Sequence, residues 1–464
     1  MNADLQAQLD RIADRLGIGR GMPSPAAEPR AGDRFTSAPA ARGVALGIEA
    51  LIPGQEIETP HGPCFVREVV YPGATLRSRY ALAACLGQPL DTLAALYPEA
   101  NLENFDFARA AFLDTETSGL GGGAGTYAFM IGVGTFEAAT DQGGAAEGTT
   151  APAAPVFKVR QFFMRSEREE RAALHALSDV LDAATGLVSF NGRAFDLPLL
   201  TNRFIMHRQT PRLTTAPHLD LLHPARRVWR QRLASCALSS LETQVLGLRR
   251  AQADVPGWLI PTLYFQYLQT GDAQDLVGVF YHNLEDILSM VTLSATLTRL
   301  LADPWADETI HALDMASLGH TYDQAGRPAE AERAYRDALS RPLPNEARQQ
   351  TYSRLGQLLK RLERPAEAAQ VWQDWITHVT ASADSRGLEP YVELAKYDEW
   401  RTNDWPAALA WTAWAEHEAA AWPRSPGRSE ALASLQRRRQ RLEGKIAAGQ
   451  SVGRASDVTA SSTP

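Results

Sequence analysis

Apolar and polar positions change rhythm three times along the chain. From Gly54 to Val70 they alternate, with His61-Gly62-Pro63 in the middle, and period two around such a turn predicts a β-hairpin. His61 reads there as a turn residue. Between Phe107 and Leu300, short apolar runs are interleaved with helical patterns. Ala110–Leu113, Phe129–Phe136 and Val156–Phe163 predict strands, the first two paired antiparallel. Glu169–Ala184 predicts a helix, Leu187–Phe190 and His218–Leu222 two more strands, and Ser235–Leu248 a Ser-capped helix. Val279–Met290 has its apolar positions at helical spacing. Early hairpins followed by strand–helix alternation predict an α/β fold with a mixed sheet and helices on both faces.

Beyond Asp303 the pattern becomes Ala-rich and helical, and it repeats. Leu318-Gly319 followed by Gly326–Tyr335 recurs as Leu355-Gly356 followed by Glu363–Trp372, with Pro328 and Pro365 37 residues apart. A weaker third copy runs through Glu393–Tyr397 and Asp404–Trp411. This resembles tetratricopeptide repeats, which are helical pairs with a nominal period of 34 residues. Such arrays present a concave surface, so a protein partner is an expectation, against the plainer reading of a structural appendage. The resulting division is a short helix (Leu5, Leu9, Ile12, Leu16) and Pro/Ala/Gly-rich linker over 1–43, and a small β-hairpin/helix element over 44–106. An α/β domain follows over 107–302, then helical repeats over 303–447 and a Ser/Thr-rich tail, expected to be disordered, over 448–464. The stretch Glu137–Pro155 reads as a flexible insertion within a hairpin.

Composition narrows the setting. The chain has 464 residues, 45% hydrophobic, and a net charge of −8, which suits a multidomain soluble protein. No apolar run approaches the roughly 18–20 residues of a membrane span, and the N-terminus lacks a basic-then-apolar signal. Cys64, Cys85 and Cys236 fit no zinc spacing and suggest a reducing compartment, so the cytoplasm is expected.

Candidate chemistry begins at Asp114-Thr-Glu-Thr-Ser-Gly-Leu120, at the end of the first apolar strand. Residues i and i+2 of a strand share a face, so Asp114 and Glu116 aim side by side, and their repulsion is relieved by a hard cation such as Mg²⁺ or Mn²⁺. Alone, Asp-x-Glu is a common solvated pattern. Downstream, Ser189-Phe-Asn191-Gly-Arg-Ala-Phe-Asp196 places a third acid at a helix start, where the helix dipole alone would also favour it. Then Tyr281-His282-Asn-Leu-Glu-Asp286 places His282 and Asp286 on one helix face, a pairing otherwise typical of surface helices. The Gly119–Gly125 loop lacks the spacing and following helix of a phosphate-binding P-loop, which excludes ATP binding there.

In that order the three motifs resemble the ribonuclease H-like superfamily of four-acid 3′–5′ exonucleases, the DnaQ-like or DEDD group, most closely its bacterial YprB-type branch. The resemblance covers Phe107 to about Leu300 and implies a ribonuclease H-like mixed sheet flanked by helices. It further implies that Asp114, Glu116, Asp196 and Asp286 are ligands of two Mg²⁺ or Mn²⁺ ions, and that the activity is phosphodiester hydrolysis of DNA or RNA. Better-known members carry His or Tyr before the last acid, but here Tyr281 occupies the usual His position and His282 the usual Tyr position. Helix geometry favours His282 as the base, about 40° round from Asp286, and Tyr281 stays open. Asp220 matches a non-ligand acid of the group and reads as structural.

Charge adds a candidate interface. Phe157–Arg250 holds 15 Lys plus Arg against 8 Asp plus Glu. Arg226, Arg227, Arg230 and Arg232 cluster around Trp229, a pattern suited to phosphate contact and stacking, or else a basic solvated helix face. Asn191 is a further nucleic-acid contact candidate, and Trp258 is either a base-stacking platform or a packing anchor. Against the nuclease reading stands an adaptor whose nuclease-like domain binds nucleic acid without cutting and whose repeats hold a partner. An adaptor would be free to lose the acids, and all four are present.

Overall fold

The computed structural model describes residues 45–119, 125–138, 155–210, 215–378 and 387–460. The helix expected over Leu5–Leu16, its linker, most of the Gly119–Gly125 loop and most of the Glu137–Pro155 insertion lie outside the described residues. By contact density the chain forms two units. The first comprises residues 1–226 and 235–303, and the second residues 227–234 and 304–464.

The first unit is built on a seven-stranded sheet. Its strands are β1 (Gln55–Thr59), β2 (Gly62–Pro72), β5 (Ala110–Thr117), β6 (Ala128–Ala138), β7 (Pro155–Phe163), β8 (Gly186–Ser189) and β9 (His218–Asp220), arranged in the order β1-β2-β7-β6-β5-β8-β9. A separate two-residue ladder joins β3 (Leu76–Arg77) to β4 (Tyr80–Ala81). The expected β1–β2 hairpin forms, but it does not pack onto the domain as a separate piece. β2 pairs antiparallel with β7, so the hairpin extends the same sheet. β5 pairs antiparallel with β6 and parallel with β8, which in turn is parallel to β9. This is the mixed α/β sheet expected from the sequence.

Parallel pairing explains where the chemistry gathers. β5, β8 and β9 run the same way, so their C-terminal ends deliver Asp114–Glu116, the Asn191 turn and Asp220 to one edge. Ala110–Leu113 is buried on both faces, as a central strand must be. Phe112, Phe129 and Phe163 are 0% exposed, each contributing roughly 1.5–3 kcal/mol of burial.

Five helices complete the site's scaffold: α1 (Glu170–Ala183), α2 (Asp196–Met206), α3 (Leu222–Trp229), α4 (Ile260–Thr270) and α5 (Leu276–Ala302). α5 crosses β6 closely because β6 has glycines where it passes. A Cβ on Gly132 would run into Asn283 and Ile287, and one on Gly134 into Phe157 and Ile287. The Ser-capped helix expected over Ser235–Leu248 forms only over Leu238–Leu246 and without its serine cap. A four-residue helix (Leu238–Leu241) passes into a π-turn (Glu242–Leu246), and Ser235 accepts only from the Ala237 amide, holding a turn.

The second unit is helical: α6 (Ala312–Gln324), α7 (Pro328–Ser340), α8 (Asn345–Arg361), α9 (Pro365–His378), α10 (Glu389–Tyr397), α11 (Trp405–Ala420) and α12 (Pro426–Ala460), each packed on the next. The repeat has a physical basis. Gly319 lies against the ring of Tyr335 and Gly356 against that of Trp372, so a Cβ at either glycine would collide with the aromatic of the following helix. The backbone of α12 is helical through Ala460, where the sequence reads a disordered tail. Among the described residues no helix is long and apolar enough to cross a membrane.

Candidate active site

Asp114 and Glu116 leave the end of β5 side by side, with a register shift between Glu116 and Thr117 that ends regular pairing just beyond them. The loop that follows closes on itself, since the Ser118 amide donates to the Tyr127 carbonyl at 2.9 Å and the Tyr127 amide to Ser118 Oγ at 3.1 Å. Asp196 opens α2 and accepts from the Thr115 hydroxyl, which ties it to the same strand. The turn before it is held by Asp220, which accepts from the amides of Asn191 (2.8 Å), Arg193 (3.1 Å) and Leu222 (3.1 Å). Asn191 sits there at φ 66°, a conformation asparagine tolerates. Asp220 is thus a backbone anchor, as its structural reading requires.

α5 supplies the remaining groups. Asn283 is fully buried and donates to Asp114 Oδ2 at 2.8 Å while accepting from Gln161 Nε2 at 2.9 Å. One turn along, Asp286 lies 3.6 Å from His282 Nε2. His282 Nδ1 is 2.7 Å from Asp254 Oδ1, so Asp254 fixes the ring with Nε2 toward Asp286. Tyr281 turns elsewhere: its hydroxyl accepts from the amides of Ala251 (2.8 Å) and Gln252 (3.3 Å). Of the two open candidates, His282 is the one brought to the acids.

Electrostatics shows the acids to be one cluster. Burial, then repulsion from Asp286, Glu116 and Asp196, raises Asp114 well above the usual carboxylate range. Burial, with Asp286 and Asp196, raises Glu116 to about 8 despite His282. Burial raises Asp196 to about 6, held back by the Thr115 hydrogen bond, and raises Asp286 against the pull of His282 and Arg250. His282 moves the opposite way. Its burial would lower it, but the Asp254 hydrogen bond and the charges of Asp286 and Glu116 lift it to about 10. Positive charge around these acids falls short of their own, and their all-oxygen donor set is what a hard divalent ion takes. Their oxygens are engaged by Thr115, Asn283 and Arg250, and among the described residues no three His, Cys, Asp or Glu close into a metal-holding group.

Sequence reasoning misses three members of this constellation: Arg250, Asp254 as a partner of His282, and Glu242. Arg250 enters the sequence reading only as the end of the basic stretch from Phe157, and Asp254 and Glu242 belong to none of the three motifs. The Arg226–Arg232 cluster is a separate group. Arg226 and Arg230 are exposed, Arg227 bonds Gln324, and Arg232 pairs with Asp314 at 2.8 Å. Trp229 corrects the stacking half of that expectation, because it is 2% exposed and sits in the core. Trp258, at 63% exposed, is no packing anchor.

Residues 111–298 match the family model described as the RNase_H superfamily. This stretch is a ribonuclease H superfamily domain. Over 365 residues the chain is also 28% identical to the uncharacterized protein YprB of Bacillus subtilis (strain 168), covering 75% of this chain and 78% of that protein. The similarity therefore reaches beyond the ribonuclease H-like domain.

Proposed function

We propose that this domain hydrolyses phosphodiester bonds of nucleic acid in a divalent-metal-dependent reaction, as a 3′–5′ exonuclease. The observation that carries the reading is the convergence of Asp114, Glu116, Asp196 and Asp286, from three separated segments, into one buried cluster in which the charges of Asp286 and Asp196 help raise both Asp114 and Glu116. Such a cluster would hold two Mg²⁺ or Mn²⁺ ions, which when bound polarise the phosphate and stabilise the leaving oxygen.

The chain's own groups account for the rest. Asn283 orients Asp114, Thr115 orients Asp196, and Asp254 orients His282 with Nε2 toward the acids. The Asp254 hydrogen bond, then Asp286 and Glu116, lift His282 to about 10, so it holds a proton beside the acids, and it would act as the base toward water only in its neutral form. Exposed Arg226 and Arg230, with Arg227 beside them, supply cationic contacts for phosphate, and exposed Trp258 supplies a face for an unpaired base. The helical unit fits recruitment of a protein partner, and the reducing interior of the cell fits three free cysteines.

The test is incubation of the full chain with end-labelled single- and double-stranded DNA and RNA in Mg²⁺, Mn²⁺ or EDTA. Stepwise shortening from the 3′ end in metal alone is expected. Binding without cleavage under every metal condition would favour the adaptor.

A further inference from the structure

Beside the acid cluster lies a cation that the hydrolytic reading does not use. Arg250 is held on the rim of the site by a bidentate grip on buried Glu242, Nε to Oε2 at 3.0 Å and Nη2 to Oε1 at 2.7 Å. Its Nη1 bonds Asp254 at 2.9 Å and lies 3.3 Å from His282 Nδ1. Its Nη2 also bonds Asp286 Oδ1. The guanidinium therefore touches one of the four acids directly and shares Asp254 with the histidine that faces them. Its side chain is 10% exposed, and that of Glu242 is 5%. A guanidinium this enclosed is a fixed part of the site, since its planar fork is satisfied at every nitrogen.

We propose that Arg250 is the resident counter-cation of the metal-free site: it occupies Asp286, competes with the divalent ion for that carboxylate, and is displaced when the ion enters. This rests on the proposed metal-dependent reading. Two features of the geometry support displacement rather than permanent pairing. Glu242 and Asp254 anchor three of the guanidinium's contacts without Asp286, so releasing Asp286 costs one hydrogen bond and leaves Arg250 tethered. Asp286, for its part, has no other arginine or lysine among the ion pairs of the described residues, only His282. Arg250 thus stabilises the cluster while it is empty and makes metal loading weaker than the bare acids would give.

The experiment is Mn²⁺ titration calorimetry on EDTA-dialysed full-length protein without nucleic acid, comparing wild type with Arg250→Gln and Arg250→Lys, beside thermal melts of each metal-free protein at pH 8. Removing the competitor should tighten Mn²⁺ about tenfold in Arg250→Gln while lowering its metal-free melting temperature. Arg250→Lys, which keeps the charge but cannot span Glu242, Asp254 and Asp286 together, should fall between. A merely structural clamp predicts the reverse sign, because loosening the site weakens Mn²⁺. Unchanged or weaker Mn²⁺ in both variants, with wild type binding normally, overturns the inference alone. If Arg250→Gln does not fold, unchanged or weaker binding by Arg250→Lys overturns it equally. No Mn²⁺ bound by wild type at millimolar concentration overturns the metal-dependent reading, and this inference with it.

Discussion

Two of the molecule's buried acidic sites are treated in opposite ways. In the helical unit the Glu399 side chain is wholly buried and ringed by α12: Arg438 at 3.1 Å, Arg441 at 2.7 Å and Lys445 at 2.9 Å. Burial would raise its pKa, but hydrogen bonds from Arg441 and Lys445 hold it below the usual carboxylate range. In the ribonuclease H-like domain, four acids share one arginine and one histidine, and all four titrate high. Glu399, which holds two helices together, is over-supplied with permanent cations. A cluster left under-supplied carries a standing repulsion that the fold tolerates, and the proposed function gives its relief to an ion from solution.

The largest effect that would break this contrast is on activity. Asp114→Ala or Asp286→Ala should lower cleavage by about 10²–10³-fold or more, the scale of removing a transition-state electrostatic contact. Each should leave the metal-free melting temperature equal or higher, because each removes repulsion. Gel assays and melts on the same preparations check both, and wild-type cleavage by either variant would sink the assignment.

Glu399→Gln should do the converse, destabilising the helical unit on the order of 2–3 kcal/mol by stranding three cations, two of which still reach solvent. Cleavage by the ribonuclease H-like domain should persist at temperatures where the variant is folded. Denaturant unfolding followed by circular dichroism reads the loss.

pH sharpens the comparison further. Glu116 moves from 4.5 to about 8 on folding, and His282 from 6.5 to about 10. Between pH 6.5 and 8 the folded protein therefore holds more protons than the unfolded chain, and stability must fall as pH rises. Metal-free protein should melt lower at pH 8 than at pH 6.5, and saturating Mg²⁺ should flatten the slope. A melting temperature that rises across this window in EDTA would contradict the raised values.

The smallest effect concerns the arginine cluster. Arg226→Ala with Arg227→Ala should lower the slope of log affinity against log salt by up to about 0.9 for each duplex phosphate that the two arginines neutralise. An unchanged slope, measured by fluorescence anisotropy on labelled duplex, would leave the cluster a solvated face.

Much of this contrast is legible in the amino-acid sequence. Period-two and helical patterns mark the strands and long helices and place Asp114, Glu116, Asp196, His282 and Asp286 on strand ends or helix faces, but it is the order of their motifs, through its resemblance to the ribonuclease H-like exonucleases, that marks them as one site. Arg250, Glu242 and Asp254 do not stand out, because what they do depends on a loop closing over α5, and nothing in the local pattern of a loop says what it will meet. Trp229 misleads for the related reason that an aromatic among arginines looks the same whether it faces solvent or, as here, the core. Ser235–Leu248 shows a helical pattern shortened to Leu238–Leu246 and widened to π geometry in its second half, which carries Glu242 to Arg250. The β6 glycines carry information that only the packing reveals: Gly132 is what lets Asn283 reach Asp114.

Under the proposed function, the under-paired acids hold divalent cations. Anomalous diffraction from Mn²⁺-soaked crystals of the full chain tests it directly. Peaks enclosed by Asp114, Glu116, Asp196 and Asp286 are expected, with the Arg250 guanidinium withdrawn from Asp286. Well-diffracting crystals with no peak among those carboxylates at saturating Mn²⁺ would contradict it.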